Sequence, residues 1–273
     1  AIPTTATPTY CVSSAQISQY SFEQAQNTNT LSSSSISSTI GNSIYVLVQI
    51  GGSQTVKSVT DNFSNNYKVI YAISNGSIRT EIWVFDNLGS SGSLTVTSSY
   101  SGNANSNMEV IQISGASSPS YGRFNIAIGN SGTPNVVISN YVPGELYLMS
   151  VAAPNNGNET FTATSPAQLI KSIPSPAPAG QNVAGGAFSF TTSQSFTTNN
   201  ITTNTNGNSV QWAAIAVQIV NNCSPTSLPT LAPTAKPTTI PSASPTLLPT
   251  LSPTLAPTTM PTPLPGKPTA SPS

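Results

Sequence analysis

The chain has 273 residues and is nearly bare of charge: seven basic side chains balance seven acidic ones, and only 5% of residues are charged. Ordinary soluble domains carry roughly 25%, so no field is available to steer nucleic acid or an anionic membrane. Histidine is absent, which removes the commonest general base and the commonest metal ligand together, and no catalytic, cofactor or metal site is expected.

Residues 1–10, AIPTTATPTY, are rich in proline and threonine and read as extended. Ala1 reads as a mature terminus left by signal-peptide removal. From 11 to 222 the chain alternates short β-branched runs with clusters of Gly, Asn and Ser. Strands are expected at 44–50, 56–60, 67–73, 81–85, 94–98, 108–114, 125–128, 136–139, 145–151, 187–191 and 210–220. Asn75-Gly76, Gly51-Gly52 and Asn206-Gly207 mark turns between them. No segment carries a capped 3.6-residue stripe. The fold is therefore expected to be all-β, an antiparallel sandwich of jelly-roll type. The longest apolar run, 212–217, falls far short of the ~20 residues of a spanning helix. Two cysteines cannot build a Cys-based zinc site alone. Cys11 and Cys223 stand at the two edges of this region. In a secreted setting they read as one disulfide closing a domain over 11–223, with two buried thiols as the alternative.

The remainder, 224–273, is an extended tail. Proline recurs at every fourth residue, at Pro225, Pro229, Pro233, Pro237, Pro241, Pro245, Pro249, Pro253, Pro257, Pro261 and Pro265. Each ring fixes φ and removes a backbone donor, so helix and central strand are excluded and polyproline II is expected. A hydroxyl follows each of the first ten: Thr226, Thr230, Thr234, Thr238, Ser242, Thr246, Thr250, Thr254, Thr258 and Thr262. With three residues per turn and a rise of ~3.1 Å, successive hydroxyls lie about 12 Å apart and a third of a turn round. They are candidate O-glycosylation sites facing all sides of a rod. The intervening positions hold Leu228, Leu231, Ile240, Leu247, Leu251 and Leu255, among others. So much leucine is unusual in a solvated linker, and one stripe of the rod is expected to dock on protein.

Several ordered blocks carry a resemblance. They are Ser58-Val59-Thr60-Asp61-Asn62 with Asn66-Tyr67, Arg79-Thr80-Glu81-Ile82-Trp83, Ser93-Leu94-Thr95-Val96-Thr97, Ile111-Gln112-Ile113-Ser114-Gly115 and Trp212-Ala213-Ala214-Ile215. Together, over approximately residues 40–220, they resemble a secreted β-sandwich domain of bacterial and environmental surface proteins. The resemblance implies a sandwich fold and an extracellular setting, and it brings no catalytic residues. The tail separately resembles the Pro/Thr/Ser-rich repeats of microalgal cell-surface glycoproteins and the tetrapeptide backbones of glycan-coated fibrils from environmental water.

Individual residues carry further expectations. Asn62, Asn75, Asn158, Asn200 and Asn222 begin N-x-[ST] sequons and are candidate N-glycosylation sites. Arg79, Glu81 and Asp86 form the densest charged cluster. A carboxylate pair for glycoside hydrolysis is one reading of it; a structural Arg79–Glu81 pair on one strand face is the reading preferred. Trp83 and Trp212 lie in apolar strands and are expected in the core. Calcium at Asp61 or Asp86 lacks a supporting acidic cluster. The chain thus reads as a structural subunit of an extracellular glycosylated fibril, bound to copies of itself and to covalent glycans, with no nucleic acid and no membrane span. The alternative is a monomeric carbohydrate-binding or adhesive module on an O-glycosylated stalk.

Overall fold

The stretch Ser43–Gly51 is buried at every position, which a strand achieves only with protein on both of its faces. The computed structural model shows the same for the stretches around 110, 150 and 215. It describes residues 14–139, 144–154, 161–163, 167–173, 183–191, 198–205 and 210–222. These lie in the first of two units, Ala1–Thr226; the second, Ser227–Ser273, falls outside the described residues, as do Cys11 and Cys223. There is no helix among the described residues.

The strands are β1 (Gln16–Ser32), β2 (Ile36–Ser38), β3 (Ser43–Gly51), β4 (Val56–Asp61), β5 (Lys68–Asn75), β6 (Ile78–Phe85), β7 (Gly92–Leu94) and β8 (Val96–Ser114), then β9 (Ala116–Ser131), β10 (Asn135–Ser139), β11 (Leu146–Pro154), β12 (Phe161–Ala163), β13 (Gln168–Ile173), β14 (Val183–Phe190), β15 (Thr198–Thr205) and β16 (Val210–Asn221). All pairings are antiparallel. One large sheet runs β1-β8-β3-β6-β5 and the other β9-β16-β11-β14-β13. These orders are the same order written twice.

The duplication extends to detail. The ends of β1 and β8, with β4, make a three-strand cover over the first large sheet, through pairs such as Leu31↔Ser98 and Val59↔Ser98. In the second half the cover is the separate sheet β10-β15-β12. Both fifth strands bulge at the same place, between Val69 and Tyr71 in β5 and between Leu169 and Lys171 in β13. The last strands match as Ile111-Gln112-Ile113 and Val217-Gln218-Ile219, which pair with β3 and β11 in equivalent register. The sequence reading of one sandwich over 11–223 does not anticipate two. Few equivalent positions keep the same residue: Trp83 stands where the second repeat has Phe188, and Glu109 where it has Ile215.

Three main cores separate the layers, beside a small fourth cluster of Ile78, Ala152, Val183 and Ala213. Ile44, Val46, Val48, Trp83, Met108 and Val110 fill the outer core of the first repeat. Tyr147, Met149, Phe161, Phe188, Trp212 and Ala214 fill that of the second. Between the large sheets lies a central core of Tyr45, Leu47, Ile82, Ile111, Leu148, Ile215 and Val217. Middle strands thus serve two cores at once, which is why their sequences run apolar without alternation.

The repeats are joined by one residue. Gly115 takes φ 72°, the left-handed region that glycine enters without a Cβ clash, and carries the chain from β8 to β9. The described ends meet nearby: Ala15 N donates to Asn221 Oδ1 (2.6 Å), and Asn222 N to Gly115 O (2.8 Å).

Candidate functional site

Where the two repeats meet, the central core contains a buried polar seam. Gln49 Nε2 donates to Glu109 Oε2 (2.9 Å) and to Ser150 Oγ of the other repeat (2.7 Å). Ser150 Oγ is also within 2.7 Å of Thr80 Oγ1, and Asn107 Nδ2 donates to Val183 O at 3.1 Å. Gly185 closes the space, since a Cβ there would strike Gln49 Oε1. Three oxygens in this cluster, Gln49 Oε1, Asn107 Oδ1 and Glu109 Oε1, meet no protein donor. Burial pushes the Glu109 carboxyl up to about 8, against the smaller lowering effect of the Gln49 bond. At neutral pH Glu109 therefore favours its neutral acid form, which supplies a donor to a site crowded with acceptors.

A second polar staple crosses the same interface near the other end of β3. Asp86 Oδ1 accepts from Ser43 Oγ (3.2 Å) and Ser120 N (3.1 Å), and also from Ser120 Oγ. Ser120 Oγ in turn pairs with the Tyr45 hydroxyl at 2.6 Å. Burial raises the Tyr45 pKa, keeping this phenol neutral.

Glu81 lies elsewhere, beneath the outer cover of the first repeat. Arg79 Nε approaches its Oε1 at 2.6 Å, Val56 N donates to the same oxygen at 3.2 Å, and Trp83 Nε1 donates to Oε2 at 2.9 Å. Arg79, Glu81 and Trp83 alternate along one face of β6, the structural pair that strand periodicity implies. Glu81 and Asp86 share no hydrogen-bond partner and serve different cores, so nothing joins them as a carboxylate pair. Asp61 organises the β4–β5 turn, accepting from Phe63 N, Asn65 N, Asn65 Nδ2 and the Tyr67 hydroxyl at 2.9–3.1 Å. Among the described residues no group of three or more acidic, Cys or His side chains is arranged to hold a metal. Trp83 and Trp212 are both buried in the outer cores; Trp212 covers Gly129, where any side chain would collide with its ring.

The sequons fare differently. Asn62 is exposed, and its amide ties the end of β4 to the β7–β8 junction by donating to Ser93 O (2.9 Å) and accepting from Thr95 N (2.9 Å). Asn75 commits its amide nitrogen to the other repeat, donating to Gly129 O (2.9 Å) and Trp212 O (3.0 Å). An N-linked glycan there would replace one of those hydrogens. Asn222 is exposed. Asn158 lies outside the described residues, as do Thr226, Thr230, Thr234, Thr238, Ser242, Thr246, Thr250, Thr254, Thr258 and Thr262; Asn200 is described only in its backbone, within β15. We expect Asn75→Asp to cost about 2 kcal/mol, because a carboxylate cannot donate to the two carbonyls it would face. Urea denaturation of the variant beside the parent measures this.

The long outer strands β1 and β9 are the other conspicuous features. Each stands at the edge of its sheet, and each carries large, partly exposed apolar side chains on the central-core face. Tyr20 is 51% exposed and Phe22 41%; Phe124 is 43%, Ile126 41% and Ile128 53%. In the aligned repeats Tyr20 corresponds to Phe124 and Phe22 to Ile126. The sequence reading missed β1, because its alternation is interrupted by Gln, Ser and Asn. No protein family, curated protein or solved structure matches the chain.

Proposed function

We propose that this chain is a structural subunit of an extracellular, glycan-coated fibril. The duplicated sandwich forms its rigid body and the proline-repeat tail, O-glycosylated at its regularly spaced hydroxyls, sheaths or links successive copies. The observation that carries this reading is the unbroken period of eleven prolines with a hydroxyl after ten of them. A rod of that kind has no use in packing a core, and its regular hydroxyls suit dense glycosylation, which would also solvate a body so poor in charge. The carboxylates support a non-catalytic body: Asp61, Glu81 and Asp86 each accept bonds that hold turns, strands or repeats together.

A Cys11–Cys223 disulfide belongs to the same reading. It is supported by the meeting of the described ends, where Ala15 N bonds Asn221 Oδ1. A jelly-roll description of the first repeat is supported by β1 and β8, whose two halves pair in the large sheet and in its cover.

Electron microscopy of the native secreted material tests the proposal. Helical filaments carrying sugar density along residues 225–273 are the expected result. Isolated particles that bind glycan would overturn it in favour of a monomeric carbohydrate-binding or adhesive module on an O-glycosylated stalk.

A further inference from the structure

We propose that β9 is a self-pairing edge, on which β9 of a second copy docks antiparallel about a two-fold axis at Ile126. The inference rests on the fibril reading for the identity of the partner, a copy of this chain, and goes beyond it in naming the surface.

The first argument is the state of the edge. Among the described residues β9 pairs only with β16, and the outer row of amides and carbonyls from Phe124 to Ile128 is left open. An open, apolar edge is a template for another strand. Phe124, Ile126 and Ile128 face the side of β16 that holds Val217 and Ile215, so they extend the central core outward. Tyr71 of β5 lies against Phe124 with ring centroids 4.6 Å apart, tying the exposed row to that core. The surface is thus the unfinished margin of an interface the molecule already uses.

The second argument comes from the duplication. The equivalent edge of the first repeat offers Tyr20 and Phe22, but there Lys171 sets its ammonium 3.8 Å from the Phe22 ring. Lys171 occupies the position that Tyr71 occupies in the other fifth strand, one residue past the shared bulge. A charge on an edge is a common guard against strand addition. The apolar row of the first edge therefore faces a cation, whereas Phe124 on β9 faces Tyr71 instead, and Arg123, the charge that β9 itself carries, sits one residue away from that row.

The third argument selects the partner. From Phe124 to Ser131 the strand has no charged residue, and Phe124-Asn125-Ile126-Ala127-Ile128 is nearly symmetric about Ile126. Antiparallel self-pairing at Ile126 sets each Phe124 opposite the Ile128 of the partner strand and each Asn125 opposite an Ala127. Aromatic residues opposite β-branched ones stabilise antiparallel pairs. An isologous contact of this kind closes as a dimer, so filament growth would use other contacts, such as the tail.

The test uses the full chain. Ile126→Cys should cross-link to itself under mild oxidation, giving a covalent dimer, while Phe22→Cys on the guarded edge should not. Ile126→Lys should weaken dimerisation by at least tenfold in sedimentation experiments, while Phe22→Lys leaves it unchanged. Filaments or dimers that persist in Ile126→Lys, with no Ile126→Cys cross-link, would overturn the edge assignment and leave the fibril reading standing. Cross-linked dimers without filaments would uphold the edge and overturn the fibril reading. A parent chain that stays monomeric at all concentrations would overturn both.

Discussion

Between about pH 4.5 and pH 8 the protein is expected to lose stability as the pH rises, and Glu109→Gln is expected to remove most of that loss. In the folded state the Glu109 carboxyl is held up to about 8 from an ordinary value of 4.5. In that window the native state keeps a proton that the unfolded chain releases, so unfolding gains with each step in pH. Below the window both states are protonated and the effect vanishes; above it both are ionised and the full penalty has been incurred. The interval corresponds to on the order of 5 kcal/mol as an upper figure. Glu145, whose carboxyl burial also raises, adds a smaller change of the same sign. Comparing parent and variant in urea at pH 5, 6.5 and 8 isolates the seam. Parallel curves for the two proteins would show that Glu109 is not the titrating group.

Glu81→Ala is expected to cost about 3–5 kcal/mol, the scale for breaking a buried ion pair by removing one partner. The loss strands the Val56 N–H and the Trp83 indole N–H in the outer core and leaves Arg79 without its carboxylate. Glu81→Gln keeps one acceptor oxygen but turns an amide toward Arg79 or Trp83, and should cost about 1–2 kcal/mol. Denaturation followed by tryptophan fluorescence reports both, since Trp83 is one of only two tryptophans. A Glu81→Ala protein as stable as the parent would mean that the pair contributes nothing net.

Where the sequence speaks in β-branched runs, it locates strands well. All eleven expected runs fall on strands, although 94–98 straddles the end of β7 and the start of β8, and 108–114 and 125–128 mark only parts of much longer strands. The Arg79–Glu81 pairing and the burial of both tryptophans follow from period-two alternation and from apolar surroundings. Less legible are the polar elements. β1 reads as loop because its edge position lets Gln, Ser and Thr fill the outward face, and its apolar Tyr20 and Phe22 are too sparse to stand out. The duplication is hidden for a different reason. What both repeats need at each position is a volume and a face, so Trp83 can answer to Phe188 and Val46 to Met149 without identity. The seam was hidden because Gln49 and Glu109 meet only when β3 pairs with β8, and Ser150 joins them only when the two sheets stack. Alternation within a strand assigns each to a face, but not to a partner 60 or 101 residues away.

The adjacency of Ala15 and Asn221 has a mechanical consequence. Tension applied through the two chain ends would enter and leave the body at one pole, across the Ala15–Asn221 and Gly115–Asn222 hydrogen bonds. The sandwiches then hang beside the line of force instead of lying within it. With the proposed Cys11–Cys223 bond closed, pull would pass sulfur to sulfur and leave both repeats unstretched; with it reduced, the first strands to peel would be the ends of β1 and β16. A fibre built this way could be strained along its backbone without unfolding its bulk.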